Sequence, residues 1–367
     1  MKATLAVLAG GVALTVLFTL IPAERTGAPW VPARADEVLE RVAPGSKPVV
    51  AASADDAAVL ARQLIEDSRA RGGDPRLLGR AQAVLAPWWT AADAPAELVL
   101  MRATVKQALH DFPGALGDLD LVLRTRPGDA QAALTRATVL TVLGRPAEAL
   151  ASCELLPREG EPYAGCAAGP LALSGRLEDG LAVLALAPQS AWVRSLRGEL
   201  LWWKGDVAAA EGELRAALQL DAGDAYTRLL LADLLLLDAR RPGEVAALFP
   251  GEVRNDGELL RVVLAGAAPE VRADLEARVT ANRQRGEVLH RREESRYALA
   301  IEHDASRALQ LAVENWGVQR EVADARVLLE AAVAAKQPAA AQPVVEWLEA
   351  TKLPVPGLRA LVKELRP

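Results

Sequence analysis

The chain has 367 residues, of which 51% are hydrophobic and only 4% aromatic, and its formal net charge is −6. A nucleic-acid surface would need clustered positive charge, so this mildly acidic balance argues against nucleic-acid partners. Alanine, leucine and arginine dominate and β-branched runs are scarce, which favours helix throughout. The length is large for one globular core, but it suits stacked units, which need no single core.

The amino terminus carries a long apolar segment. Residues 3–23 contain no charged side chain, and about twenty apolar residues are enough to span a bilayer as a helix. A cleaved signal peptide is the alternative, but Ile21-Pro22-Ala23 is a poor small-x-small cleavage site, so we favour an uncleaved membrane anchor. Both alternatives export the remainder to the periplasm, either anchored to the inner membrane or soluble after cleavage.

A repeated pattern begins near residue 96. The fragment LMRATVKQAL at 100–109 returns as LTRATVLTVL at 134–143, a displacement of 34 residues. Small residues recur at Ala103, Ala137 and Gly198, where they allow one helix to approach its neighbour closely. A fixed period of this size indicates an array in which each unit buries its apolar face against the next.

This pattern resembles the tetratricopeptide repeat (TPR), a helix–turn–helix module with the same period. The resemblance is carried by the unit 96–129, by its continuation from residue 130, and by 191–224, which departs from the family in having Ala222 at the usual exit proline. It implies an all-α fold, a right-handed α-solenoid of stacked TPR-like repeats. In the unit that follows, Pro242 and Val245 are expected to mark a turn and a second helix.

The resemblance also predicts how the chain is divided. The parts are an anchor or signal peptide at 1–23, a proline-rich linker at 24–49, a degenerate helical repeat at 50–95, the clear TPR-like array at 96–250, and degenerate repeats at 251–367. The linker is expected to be a semi-extended spacer that holds the array off the membrane.

In TPR proteins the inner, concave face is lined by fixed positions of the first helix of each unit. Carried over to this sequence, those positions imply a protein or peptide contact surface formed by Glu97, Thr104, Gln107, Gln131, Thr138, Thr141, Trp192, Glu199, Trp202, Tyr226 and Asp233. The aromatic and acidic lining around 192–233 would suit a basic or extended peptide. The alternative is that Trp202 and Trp203 only fill gaps between helices.

Charged residues form two further patterns. Arg102, Arg136 and Arg197 each precede a small residue, and we expect them to pair with acids of the neighbouring helix, such as Asp118 or Asp120. A guanidinium ladder that holds an acidic ligand is the alternative. The segment 283–296 mixes arginine and glutamate at helical spacing, which predicts a solvated, ion-paired helix face.

The two cysteines fit an exported protein. Cys153 and Cys166 fall in helices that pack side by side, so a disulfide around the intervening turn is one interpretation, and two buried small hydrophobes are the other. Without a matched histidine pair they do not form a zinc site. His110 is expected to cap a helix or to pack beside Phe112, and His290 and His303 have no metal-ligand partner at helical spacing.

The chemistry of enzymes is not indicated. The sequence has no serine elbow, no glycine-rich phosphate loop and no metalloprotease motif, so we predict a non-enzymatic protein without cofactor or metal. The leading hypothesis is a membrane-tethered interaction scaffold in bacterial envelope assembly or maturation. One alternative is a module that binds a small ligand or glycan in the Trp192–Tyr226 region, and another is the accessory subunit of an envelope enzyme complex.

Overall fold

The fold is described from a computed structural model of the chain, which covers residues 51, 53–70, 74–251, 253, 255–284 and 291–365. Within these ranges the backbone forms α-helices and short 3₁₀ turns, and no strand. The predicted anchor and the linker lie outside the described residues. Among the residues that the structure describes, no helix is both long enough and apolar enough to cross a membrane.

The helices follow one another as helix–turn–helix units. The first helices of the units are α1 (Ala54–Ala70), α3 (Ala96–Ala108), α5 (Ala130–Val142), α7 (Glu161–Leu173), α9 (Ala191–Lys204), α11 (Ala225–Leu237), α12 (Asp256–Leu264), α14 (Arg291–Ala300) and α16 (Val322–Ala334). The second helices are α2 (Pro75–Leu85), α4 (Phe112–Thr125), α6 (Pro146–Cys153), α8 (Leu177–Leu186), α10 (Val207–Leu220), α13 (Pro269–Gln284), α15 (Ala305–Trp316) and α17 (Gln342–Thr351), and α18 (Pro356–Glu364) closes the series. The predicted all-α solenoid is confirmed.

The prediction of a second helix after Pro242 is wrong. Two 3₁₀ turns, Pro242–Glu244 and Ala246–Leu248, stand in its place. Pro250 and Gly251 follow directly after Phe249 and stop any helix there. Val245 nevertheless fills the expected packing position, because it is fully buried against α11.

Small residues and ion pairs hold neighbouring helices together as predicted. Ala103 and Ala137 are buried, and a Cβ at Gly198 would lie only 2.8 Å from the Cγ of Leu214 on α10. The repeated arginines pair with acids of the adjacent helix: Arg102 with Asp118 at 2.6 Å, Arg136 with Asp120 at 2.7 Å and Arg197 with Glu213 at 3.4 Å. These guanidiniums are therefore structural, which confirms the first of the two interpretations.

A disulfide links two neighbouring units. Cys153 is the last residue of α6 and Cys166 lies in α7, and their Cα atoms are 5.6 Å apart across the bridge. Both cysteines are buried within one apolar cluster with Ala149 and Leu171. The bridge fixes the turn that joins the unit from residue 130 to the next unit.

The carboxy-terminal helices return to the middle of the array. The Arg320 amide donates to the Val142 carbonyl at 2.8 Å, and the Val355 amide donates to the Trp203 carbonyl at 2.9 Å. One apolar cluster accordingly contains buried residues of α7 and α9 together with residues of α15 to α18. The solenoid is closed on itself, and part of its inner face is covered by its own carboxy-terminal units.

Glycines at three successive turns make this closure possible. Gly144, Gly175 and Gly205 follow α5, α7 and α9 with φ values of 70°, 78° and 96°. A Cβ at these positions would lie 3.0 Å from the Arg320 side chain, 3.4 Å from the Thr351 carbonyl oxygen and 2.7 Å from the Pro356 ring, respectively. Glycine thus serves both the left-handed turn and the close approach of the returning chain.

Candidate functional site

Closure of the solenoid leaves a cavity at its centre. Its volume is about 80 Å³. The lining comes from the ends of α5 and α7, from α9, α11, α12, α14 and α16, and from Val355 before α18. Five of the predicted contact residues line this cavity: Thr141, Glu199, Trp202, Tyr226 and Asp233. A register taken from the repeat pattern therefore converges on one site in the folded chain.

The other six predicted contact residues do not line the cavity. Thr104 is buried and its hydroxyl donates to the Leu100 carbonyl at 2.9 Å, and the Thr138 hydroxyl donates in the same way to Leu134 at 3.0 Å. Gln107 is half-buried on α3. The remaining three make local contacts: Glu97 pairs with Arg62, Gln131 donates to Thr135, and the Trp192 ring packs over Gly165.

A buried network of arginines and carboxylates forms one wall. Arg261 on α12 binds Asp233 at 2.7 Å and Glu293 at 2.9 Å. Arg292 on α14 binds Glu321 and Asp324, each at 3.1 Å. These pairs join the first helices of successive units, so the network ties α11, α12, α14 and α16 together around the cavity.

The prediction that 283–296 is a solvated face is wrong for residues 292–295, whereas Arg283 at the start of the segment is exposed and ion-paired with Glu302. Arg292, Glu293 and Glu294 are only 3%, 2% and 3% exposed. Residues 291–296 begin the first helix of a unit, and α14 packs between α12 and α16. Mixed charges at helical spacing have the same pattern whether their partners are in solvent or on other helices, so the sequence could not distinguish the two environments.

The acids that line the cavity differ in how far arginines compensate their burial. Burial raises the pKa of Glu199 to about 8, although a hydrogen bond with the Tyr226 hydroxyl favours the charged form. Burial likewise raises the pKa of Glu321 to about 7 against the attraction of Arg292. At Asp233 burial acts in the same direction, but attraction by Arg261 and Arg296 outweighs it and lowers the pKa to about 2. The cavity therefore holds both permanently charged and protonated acids.

Several buried polar atoms around the cavity lack a hydrogen-bond partner. Within the described part of the chain these include Nε of Arg261, Nε of Arg292 and Oε1 of Glu321. Unsatisfied buried polar atoms are uncommon in folded proteins and each calls for an explanation. Their grouping around one cavity makes it the candidate functional site.

An aromatic and aliphatic wall completes the cavity. The Trp202 indole donates to Asp238 at 2.6 Å, and Trp203 is buried beside it. Asp238 and Glu330 keep 23% and 27% of their side chains exposed, whereas the Arg261 side chain is 2% exposed. The cavity thus has a more open end near Asp238 and Glu330 and a closed end at Arg261. An apolar wall with a few convergent polar groups is typical of ligand sites.

The histidines and cysteines provide no metal site in the described residues, where no three metal-binding side chains come together. His110 stacks on Phe112 with ring centroids 5.2 Å apart, as predicted. His303 occupies a turn with a φ of 58°. His290 lies outside the described residues.

The comparisons with known proteins concern the fold. The sequence matches no protein-family model, and no curated protein matches it. Among solved structures, a thermophilic TPR protein of Thermus thermophilus is 19% identical, with 50% of this chain and 100% of that chain covered and a TM-score of 0.43. The P58(IPK) TPR domain is 16% identical, with 85% and 97% covered and a TM-score of 0.28. A TPR protein from Parabacteroides merdae is 13% identical, with 85% and 99% covered and a TM-score of 0.27.

The order of the helix pairs, their small close-packing residues and their turns define a TPR-like α-solenoid, here closed around a charged cavity. One fold of this kind serves many unrelated functions, so the cavity, and not the fold, carries the information on function.

Proposed function

We propose that this protein is an exported, membrane-tethered scaffold that binds protein partners during envelope assembly or maturation. The observation that carries the proposal is the convergence of five contact residues, each predicted from the repeat register, on one cavity. Anchoring aromatic side chains beside buried charges is the composition expected of an interaction hot spot. We expect a partner to insert a side chain or a chain terminus, because the cavity is too small for a folded segment.

The tether is a separate part of the proposal, supported by the apolar segment 3–23 and the linker that follows it. A variant without residues 3–23 should leave the membrane fraction and fail to reach the periplasm, whereas the full chain should stay with the membrane after a carbonate wash. A full chain that is washed off intact would argue against the anchor.

The partner is tested by crosslinking in cells. A photoreactive amino acid is placed at Trp202, which lines the cavity, at Thr138, which does not, and at Leu186, which is 89% exposed on α8. We expect a recurrent envelope protein to be trapped at Trp202 and not at Leu186. Equal trapping at the three positions would indicate non-specific contact and contradict a role for the cavity.

The cavity's small size also favours a second function, the binding of a free small ligand without a protein partner. In that case Trp202 would trap no protein in folded, exported molecules, while a soluble ligand would still raise the melting temperature. A single stoichiometric partner at Trp202, in place of several transient ones, would favour an accessory subunit.

A further inference from the structure

We propose that the central cavity binds a cationic nitrogen group, an ammonium or a guanidinium, between Glu199, Glu321 and the aromatic side chains of Trp202 and Tyr226. The inference rests on the proposed function, since a basic side chain or an amino terminus of a protein partner is one source of such a group. A free small amine is the other source, and the chemistry of recognition is the same for both.

Carboxylates outnumber guanidiniums around the cavity. Four arginines contribute positive charge: Arg261, Arg292, Arg296 and Arg326. Seven acids line the cavity or pair with these arginines: Glu199, Asp233, Asp238, Glu293, Glu321, Asp324 and Glu330. Each of the four arginines therefore has a carboxylate partner, whereas Glu199 and Glu321, which burial keeps partly protonated near neutral pH, can become negatively charged when a cation binds.

Two neighbouring acids, Glu199 and Glu321, are the ones least compensated by arginines. In the described part of the chain no ion pair joins Glu199 to an arginine, and its hydrogen-bond partner is the Tyr226 hydroxyl. Glu321 shares Arg292 with Asp324, and its Oε1 is buried without a hydrogen-bond partner. These are the acceptors that a bound ammonium or guanidinium would use.

The Nη atoms of the arginines bind acids already present, whereas Nε of Arg261 and Nε of Arg292 are donors without a hydrogen-bond partner among the residues described. Both Nη atoms of Arg261 bind carboxylates, and Arg326 binds Asp238 at 3.2 Å. An anionic ligand would have to displace these pairs and would also face Glu199 and Glu321. A cation would leave these pairs in place and would be attracted by Glu199 and Glu321. A flanking indole or phenol ring adds cation–π attraction.

The size of the cavity fits a side-chain end. A cavity volume of about 10–15 Å³ holds one water molecule, so the volume of about 80 Å³ has room for several non-hydrogen atoms. A guanidinium with part of its aliphatic stem matches that volume, and the stem would lie against Leu230 and Val327. The charge would lie between Glu199 and Glu321, and the stem would point towards Glu330 at the more open end.

Binding should release protons. The charged and titratable groups that act on Glu199 are Tyr226 on α11, Arg292 on α14 and Glu321 before α16, and those on Glu321 are Arg292 and Asp324. With raised pKa values, Glu199 and Glu321 are at least partly protonated near neutral pH, and a cation replaces those protons. Affinity for the cation should therefore rise with pH.

The test is calorimetry on the full chain in detergent, with the tripeptide acetyl-Ala-Arg-Ala-amide and with free agmatine as guanidinium probes. The matched neutral probe carries citrulline in place of arginine, and a glutamate tripeptide provides the anionic probe. We expect the arginine tripeptide to bind about tenfold or more tightly at pH 8.5 than at pH 6, with proton release measured in buffers of different ionisation enthalpy. Stronger binding of agmatine than of the tripeptide would identify a free amine as the source.

The variant Glu199→Gln should bind the arginine tripeptide about tenfold or more weakly and lose most of the pH dependence, while Glu349→Gln, an exposed acid on α17, should behave as the parent. Equal binding of the citrulline tripeptide, preference for the glutamate tripeptide, or affinity that falls with rising pH would each overturn the inference. Guanidinium binding without any protein trapped at Trp202 would support the cation site and contradict the scaffold role. A protein trapped at Trp202 without guanidinium binding would support the scaffold role and contradict the cation site.

Discussion

Glu199 combines a position set by its own unit with an environment set by other units. The repeat register places it on the inner side of α9, where the resemblance predicted a contact residue. Its electrostatics come from Tyr226, Arg292 and Glu321, which belong to three later units. The sequence could therefore predict the residue, but a pattern of local spacing holds no information on which distant charges surround it.

Stability should fall with rising pH because of Glu199. Burial raises its folded-state pKa to about 8, so the folded chain keeps a proton that the unfolded chain loses above about pH 4.5. The contribution is fully present below that pH and is lost as pH rises towards 8. Asp233, whose pKa is lowered to about 2, contributes stability that is lost only below about pH 4 and does not act in this window.

Glu199→Gln should remove much of this pH dependence, since glutamine resembles the protonated acid. A single group with a raised folded-state pKa lowers the free energy of unfolding by about 1.4 kcal/mol per pH unit between its unfolded and folded pKa values. Between pH 5 and pH 8 the free energy of unfolding of the parent should therefore fall by about 2 kcal/mol or more relative to the variant. Urea unfolding at the two pH values measures the difference. Parallel pH profiles of parent and variant would contradict protonation of Glu199 in the folded state.

The disulfide should contribute to stability through the short loop that it closes. Its cysteines are 13 residues apart, and a loop of about that length corresponds to about 3 kcal/mol in the chain-entropy account. The double variant Cys153→Ala/Cys166→Ala should therefore have a free energy of unfolding lower by about 2–3 kcal/mol, measured by urea unfolding. Under reducing conditions the parent should approach the stability of the variant. Full thiol labelling of the unreduced exported protein would show instead that the cysteines are free.

At the scale of elements, close packing of α9 on α10 depends on Gly198. A Cβ there would lie 2.8 Å from Leu214 Cγ and 3.1 Å from the Ala210 carbonyl oxygen. Gly198→Ala should overpack this contact and destabilise the chain by about 1–3 kcal/mol. The control is Gly212→Ala on the facing helix α10, where nothing lies within 4 Å, and which should stabilise by about 0.5–1 kcal/mol. The melting temperatures of the two variants, measured in parallel, decide whether Gly198 lies at the close contact between α9 and α10.

Helix pairs could be predicted wherever the repeat period and its turn residues are intact. The units from 96 to 224 show this, because small residues recur at the crossing points and aspartates such as Asp111, Asp129 and Asp206 cap the following helices. The period weakens after residue 225, where one unit replaces its second helix with 3₁₀ turns. There the competing stop signals of Pro250 and Gly251 outweighed the family pattern.

At the scale of the whole molecule, closure of the solenoid was not predictable from the repeats. A repeat pattern specifies how each unit packs on its neighbours, whereas the contacts between Val142 and Arg320 and between Trp203 and Val355 join units far apart in the chain. Closure also explains why α7 is buried from Cys166 to Leu173, with no open stripe on its inner face. The cavity, and with it the candidate site, exists only because the carboxy-terminal units meet the middle of the array.

Gly205 tests this closure directly. It has a φ of 96°, and an added Cβ would lie 2.7 Å from the Pro356 ring at the start of α18, so Gly205→Ala combines backbone strain with a clash against the returning chain. Gly266 has a φ of 91° and nothing within 4 Å, so Gly266→Ala carries the backbone strain alone. We expect Gly205→Ala to be less stable than Gly266→Ala by about 1–3 kcal/mol. Amide hydrogen exchange should accelerate in α16 and α18 of the first variant only, and equal protection in both would mean that α18 does not dock on α9.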